Sequence, residues 1–103
     1  MFEQTREKLR LVWRPKAQKQ WDKILTFYAT RNQSLDYSLK LDERLYELLD
    51  ILCIKEFTPG ELTSRRRLRR ISFEKHFAVF FRVKRDCIEV TSIVDARQNI
   101  RLN

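Results

Sequence analysis

Five arginines in six positions, Arg65, Arg66, Arg67, Arg69 and Arg70, are the densest chemical signal in the chain. A guanidinium keeps its charge at any physiological pH and grips phosphate or carboxylate through two parallel hydrogen bonds. From Arg65 to Arg85, nine Lys or Arg residues, Lys75 and Arg82 among them, stand against Glu74 alone. The surplus of +8 equals the net charge of the whole chain, so the remainder is neutral. Charge concentrated in this way points to an anionic partner: nucleic acid, ribosome or an acidic protein. The competing reading is a solvated basic edge that discourages strand-to-strand aggregation. Packing five arginines so closely costs self-repulsion that an edge guard does not require, which favours a functional reading.

His76, the single histidine, lies between Lys75 and Phe77. A metal-free ribonuclease needs a proton carrier titrating near neutrality beside phosphate-binding arginines, and His76 suits that role, with Glu74 a weaker base. A lone histidine is more often an ordinary surface residue. Asp95, Arg97, Gln98 and Asn99 form a polar group after the last apolar run. Arg97 is expected to return to the face that carries Arg70. The competing reading is a turn in which Asp95 caps backbone amides. Phe77, Phe80 and Phe81 are mostly core, but one of them on an open face could stack on a base. The chain has no glycine-rich phosphate loop, HExxH pair, nucleophile elbow or metal-ligand cluster, so neither metal nor cofactor is expected. Cys53 and Cys87 lack CxxC spacing and read as free thiols in a reducing compartment.

The elements that must position these groups follow from periodicity. Three β-type runs, Leu68 to Phe73, Phe77 to Val83 and Cys87 to Val94, are joined by links too short for a helix, so they should pair as an antiparallel meander. If Ile71 and Phe73 face a core, Arg70 and Ser72 face away from it and Arg69 sits at the rim. Upstream, Lys8 to Trp13 alternates with period two and reads as a first strand. Pro15 suits a first helical position. Ala17, Trp21, Leu25 and Tyr28 then form a helical stripe that ends near Arg31 and Asn32. Ser34 can cap a second helix, whose stripe runs through Tyr37, Leu41, Leu45, Leu48, Leu49 and Leu52. The short link makes the two helices a hairpin, and the sheet is the available surface for its stripe. Strand one should close one edge of the sheet. Pro59–Gly60 marks a turn.

At 103 residues the chain reads as a single domain, with residues 1–7 a frayed tail. Hydrophobic residues at 43% and charged residues at 35% place it among globular chains. No apolar run approaches the ~20 residues needed to span a bilayer, and no apolar leader opens the sequence, so a cytoplasmic location is expected.

The chain resembles the RelE/ParE superfamily of bacterial type II toxin–antitoxin toxins over roughly residues 9 to 99. The matching pieces are VW-x-PKA (Val12, Trp13, Pro15, Lys16, Ala17), Ile24-x-x-Phe27-Tyr28, RNQS at Arg31 to Ser34, LRRI at Leu68 to Ile71, FAVFFRV at Phe77 to Val83, and D-x-RQN at Asp95 to Asn99. Their joint order and spacing carry the resemblance. It implies an α+β, β-α-α-β-β-β fold with a helical hairpin packed on one face of a small, mainly antiparallel twisted sheet. It also implies a cytoplasmic toxin neutralised by an acidic antitoxin encoded by the adjacent gene. Two activities are compatible with it. A ParE-like toxin binds a target, typically DNA gyrase, and catalyses nothing. A RelE-like toxin is a ribosome-dependent mRNA endonuclease, here using Arg70 and Arg97 on the phosphate and His76 for proton transfer.

Under either activity, Arg65, Arg66, Arg67, Arg69, Arg70, Lys75, Arg82, Arg97 and Gln98 are the candidate target or nucleic-acid contacts. Arg69, Arg70 and Arg82 are also candidate antitoxin contacts. The chain departs from the family at Arg14, where members usually carry Ser or Thr, and at Phe81–Arg82, where an aromatic hydroxyl often precedes the arginine. The missing hydroxyl and the D-x-RQN ending favour the ParE-like side; the arginine cluster pulls the other way.

Overall fold

The computed structural model describes residues 8–54, 60–65 and 67–97. Seven elements follow in order: β1 (Arg10–Trp13), α1 (Pro15–Asn32), α2 (Asp36–Leu52), β2 (Glu61–Leu62), β3 (Leu68–Phe73), β4 (Phe77–Val83) and β5 (Cys87–Asp95). The sheet order is β1-β5-β4-β3-β2. β1 runs parallel to β5, and the other neighbours are antiparallel. The expected α+β architecture, with a helical hairpin on one face and strand one closing an edge, is the one observed.

Local chemistry explains each boundary. Pro15 opens α1, where its missing N–H costs nothing. The helix closes at Gln33 in the left-handed conformation (φ 52°), while the Ser34 amide reaches back to the Ala29 carbonyl at 3.1 Å. Ser34 does not occupy the cap of α2 itself. Its hydroxyl accepts the Asp36 amide one step earlier, at 3.1 Å, and Leu35 stands at the cap. β1 begins two residues later than the alternation suggests, because Leu9 is tied to the end of α2 by its amide on the Cys53 carbonyl at 2.7 Å. β2 is an addition to the expected order: Glu61 and Leu62 pair with Arg70 and Arg69. Two residues are too few to show any periodicity.

The core lies between the hairpin and one face of the sheet. Ala17, Trp21, Ile24 and Tyr28 of α1 meet Leu41, Leu45, Leu49 and Leu52 of α2 and the inward residues of β3, β4 and β5. Trp21 stands edge-on to Phe73 and Phe77 at 6.2 and 6.1 Å between ring centres, the geometry that aromatic quadrupoles favour. Its indole N–H donates to Asp42 at 2.8 Å, so α2 satisfies the polar atom that Trp21 carries into the core. The opposite face of the sheet carries no helix among the described residues.

Candidate functional site

Strand register sorts the candidate residues between the two faces. Arg70 pairs with Phe80, and Phe80 pairs with Ser92; Leu68 pairs with Arg82, and Arg82 with Glu89. Side chains opposite one another across a ladder share a face, so Leu68, Arg70, Phe80, Arg82, Glu89 and Ser92 all lie on the open face. Phe80 is therefore the one phenylalanine of the trio outside the core. Phe77 and Phe81 are buried.

A β-bulge interrupts the β4–β5 ladder between Phe80 and Phe81. Consecutive strand residues normally point to opposite faces. The extra residue breaks that alternation, and Thr91 and Ser92 both flank Phe80 in the same hollow. The Thr91 hydroxyl donates to the Phe80 carbonyl at 3.1 Å. The hollow, about 520 Å³, has Leu68 and Phe80 as its floor. Lys16 of α1, Arg65 of the β2–β3 loop and Arg82 of β4 supply its charge. Thr63 and Ser64 add two more hydroxyls. The Thr63 oxygen accepts the Arg65 amide at 3.1 Å, and the Leu68 amide donates to the Arg65 carbonyl at 2.9 Å, which fixes that loop against the sheet. A second hollow, about 530 Å³, shares Arg82 and is walled by Arg67, Lys84 and Arg85.

Beside these hollows, Glu89 is a buried carboxylate on an otherwise basic face. Arg14 and Lys84 each approach it at 3.4 Å. Arg14 thus has a role different from a helix cap. It stands at the α1 cap position without a side-chain cap bond and reaches across to Glu89.

The other candidates scatter. The Arg70 guanidinium points along the open face to the Ser72 hydroxyl at 3.4 Å. Arg69, on the opposite side of β3, donates to the Gly60 carbonyl at 3.4 Å, the rim position expected for it. His76 closes the β3–β4 turn, and its carbonyl accepts the Ala96 amide at 2.7 Å. Lys75 and Glu74 share that turn with left-handed backbones (φ 66° and 51°), and Glu74 pairs with Arg44 of α2 at 3.2 Å. Arg97 does not return to the face of Arg70. Asp95 points into the core, its carboxylate accepts the Arg97 amide at 2.9 Å, and the guanidinium lies 5.2 Å over the ring of Tyr28 on α1. His76 and Arg97 therefore sit at the turn end of the sheet, while Arg70 lies three ladder pairs away, roughly 10 Å at strand rise. Arg66 and Gln98 lie outside the described residues.

Comparison with known proteins follows the same lines. The family profile described as "ParE toxin of type II toxin-antitoxin system, parDE" matches residues 11–100. The chain belongs to the ParE toxin family. As a ParE-family chain it is a toxin of a type II toxin–antitoxin system, and the family implies an antitoxin partner. Among solved structures it is similar to one titled "Chromosomal ParDE TA system from P. aeruginosa", at 23% identity with a TM-score of 0.72. That alignment covers 85% of this chain and 96% of the other. A conserved hypothetical protein from Helicobacter pylori is similar at 20% identity and TM-score 0.51, over 86% of this chain and 96% of that one. Both likenesses are of fold. No curated protein sequence matches the chain. Among the described residues no helix is long and apolar enough to cross a membrane.

Sequence reasoning located the basic stretch but not the hollows. Periodicity places Lys16 in the first turn of a helix, and Thr91 and Ser92 in a regular strand, with nothing to bring them together. The bulge that brings the two hydroxyls together leaves no mark in residue type, since Val-Thr-Ser-Ile is ordinary strand sequence.

Proposed function

We propose that this ParE-family chain arrests growth by binding a macromolecular target of the DNA gyrase type, catalyses no reaction itself, and is neutralised by an acidic antitoxin from the adjacent gene. The observation that carries the non-catalytic reading is the dispersal of the groups a ribonuclease would need. His76 lies at the turn end of the sheet, Arg97 is committed to Tyr28 and Asp95 on the helix side, and Arg70 lies on the open face. A general acid–base pair has to come within hydrogen-bond reach of one phosphodiester.

Two surfaces support antitoxin binding. Arg70 and Arg82 on the open face, with Arg69 at its rim, offer charge complementarity to an acidic segment that folds on binding. On the hairpin, Leu35 and Leu39 (each 62% exposed) and Tyr46 (43%) recur along one side of α2 and its cap at helical spacing. An exposed apolar stripe of this kind suits an amphipathic helix laid against it.

The alternative, a RelE-like mRNA endonuclease, is favoured by one feature: a half-buried phenylalanine among arginines on the open face. Expressing the chain from a tight promoter, with and without the adjacent gene, while mapping mRNA 5′ ends separates the two. Arrest with intact mRNA and an induced DNA-damage response, relieved by the adjacent gene, is the expected result. New cuts inside translated codons, lost in Arg70→Ala or His76→Ala, would replace it with the nuclease reading.

A further inference from the structure

We infer that the two adjoining hollows on the open face form a track for single-stranded nucleic acid, held without being cut, with a base stacked on Phe80 and the backbone continuing past Arg82. This inference does not rest on a gyrase-type target, but it does require that the chain leave the strand it holds intact.

Four features carry it. The first hollow, about 520 Å³, falls within the ~300–1,000 Å³ range of small-ligand sites and is large enough for one nucleotide. Its lining contains no carboxylate, and Lys16 and Arg65 have no ion-pair partner among the described residues. Lys16 and Arg65 therefore face solvent with their charge uncompensated, which is the condition for capturing an anion, and Arg82 joins them from its ladder position opposite Glu89. Its floor is apolar and aromatic, while its walls carry four hydroxyls, two of them placed there by the bulge in β5. A run of carboxylates alone would use the cations and leave the aromatic floor unfilled. A nucleotide uses all three: phosphate on the cations, the base face on Phe80, base-edge or sugar polar atoms on the hydroxyls. Finally, the second hollow continues from the shared Arg82 with Arg67, Lys84 and Arg85, so a site for one nucleotide runs directly into a site for the next phosphates. A chain with its bases unstacked fits this succession better than a free nucleotide. Binding without cleavage fits the lining: neither hollow contains a histidine, and Glu89, the carboxylate beside them, is already held by Arg14 and Lys84.

The test is fluorescence anisotropy of the full-length chain with labelled oligo-dT and oligo-U, across a salt series, with a denaturing gel of the bound strand. Binding should weaken with salt with a log–log slope of about 2–3.5, as expected for three to five phosphates at ~0.7 each on a single strand. Arg65→Ala and Arg67→Ala should each reduce the slope by ~0.7. Phe80→Ala should weaken binding roughly tenfold with the slope unchanged, and Phe80→Trp should restore it. Lys40→Ala, on the outer face of α2, should change neither quantity. Circular dichroism of each variant confirms that it is folded. A preference between oligo-dT and oligo-U tells which kind of strand the track serves. The inference is overturned if neither strand binds at low salt, if the slope ignores Arg65 and Arg67, if a duplex or poly-glutamate of equal charge competes as well as the strand, or if the bound strand is cut.

Discussion

The Tyr28 hydroxyl donates to the fully buried Asp95 carboxylate at 2.6 Å, and its oxygen in turn accepts a hydrogen bond from Arg97 at 2.5 Å. One phenol on α1 thus ties down the end of β5 and the first residues beyond it. Tyr28→Phe removes the donor and leaves a buried carboxylate short of a partner, which costs about 1–3 kcal/mol. Urea unfolding should show a lower midpoint with an unchanged slope. Arg97, losing its acceptor on Tyr28, should also become more susceptible to trypsin.

Gly60 holds φ at 89°, and a Cβ there would meet the Arg70 carbonyl oxygen at 2.9 Å. Gly60→Ala therefore meets both a left-handed backbone and an immovable backbone atom. The expected loss exceeds ~1 kcal/mol and falls on the β2–β3 pairing. Hydrogen exchange should show faster exchange at the Thr63 amide, which donates to the Leu68 carbonyl, while the β4–β5 ladder keeps its protection.

The Cys53 thiol is pushed above its ordinary pKa first by burial, then by the nearby Asp50 carboxylate. A raised pKa in the folded state means that the fold favours the neutral thiol. That contribution is fully present below the ordinary thiol value and is lost as pH rises through the folded one. Stability should therefore decline on the alkaline side, and Cys53→Ser should flatten that part of the curve. In the folded protein, alkylation of Cys53 should lag far behind that of a free thiol at the same pH.

Much of this was legible in the sequence because it rests on repetition. The helical stripes through Trp21 and Leu45 and the β3 to β5 runs repeat often enough to show their period, and the helix-covered face follows from them. The β5 bulge, the two-residue β2 and the position of Arg97 rest on single events. Asp95 turns inward because one tyrosine, 67 residues earlier, waits for it. No local pattern announces a partner at that separation. The arginine run shows the converse: its composition gives charge without direction, and register alone separates Arg70 from Arg69.

Leu39 is 62% exposed and packs on nothing that stability requires. Leu39→Glu should leave the unfolding midpoint within about 0.5 kcal/mol of the parent. It should weaken antitoxin binding tenfold or more if the hairpin stripe is a docking surface. Isothermal titration with the adjacent gene product reads both the affinity and its loss. An unchanged affinity would move the antitoxin entirely onto the arginine face.

The central claim is that the toxin acts by binding a gyrase-type target, without catalysis. The direct measurement is negative supercoiling of relaxed plasmid by purified DNA gyrase, with increasing toxin and with the His76→Ala variant. The account predicts inhibition by both proteins at comparable concentrations, reversed by the antitoxin. Undisturbed supercoiling, together with codon-specific cutting of mRNA on translating ribosomes by the parent but not by His76→Ala, would contradict it.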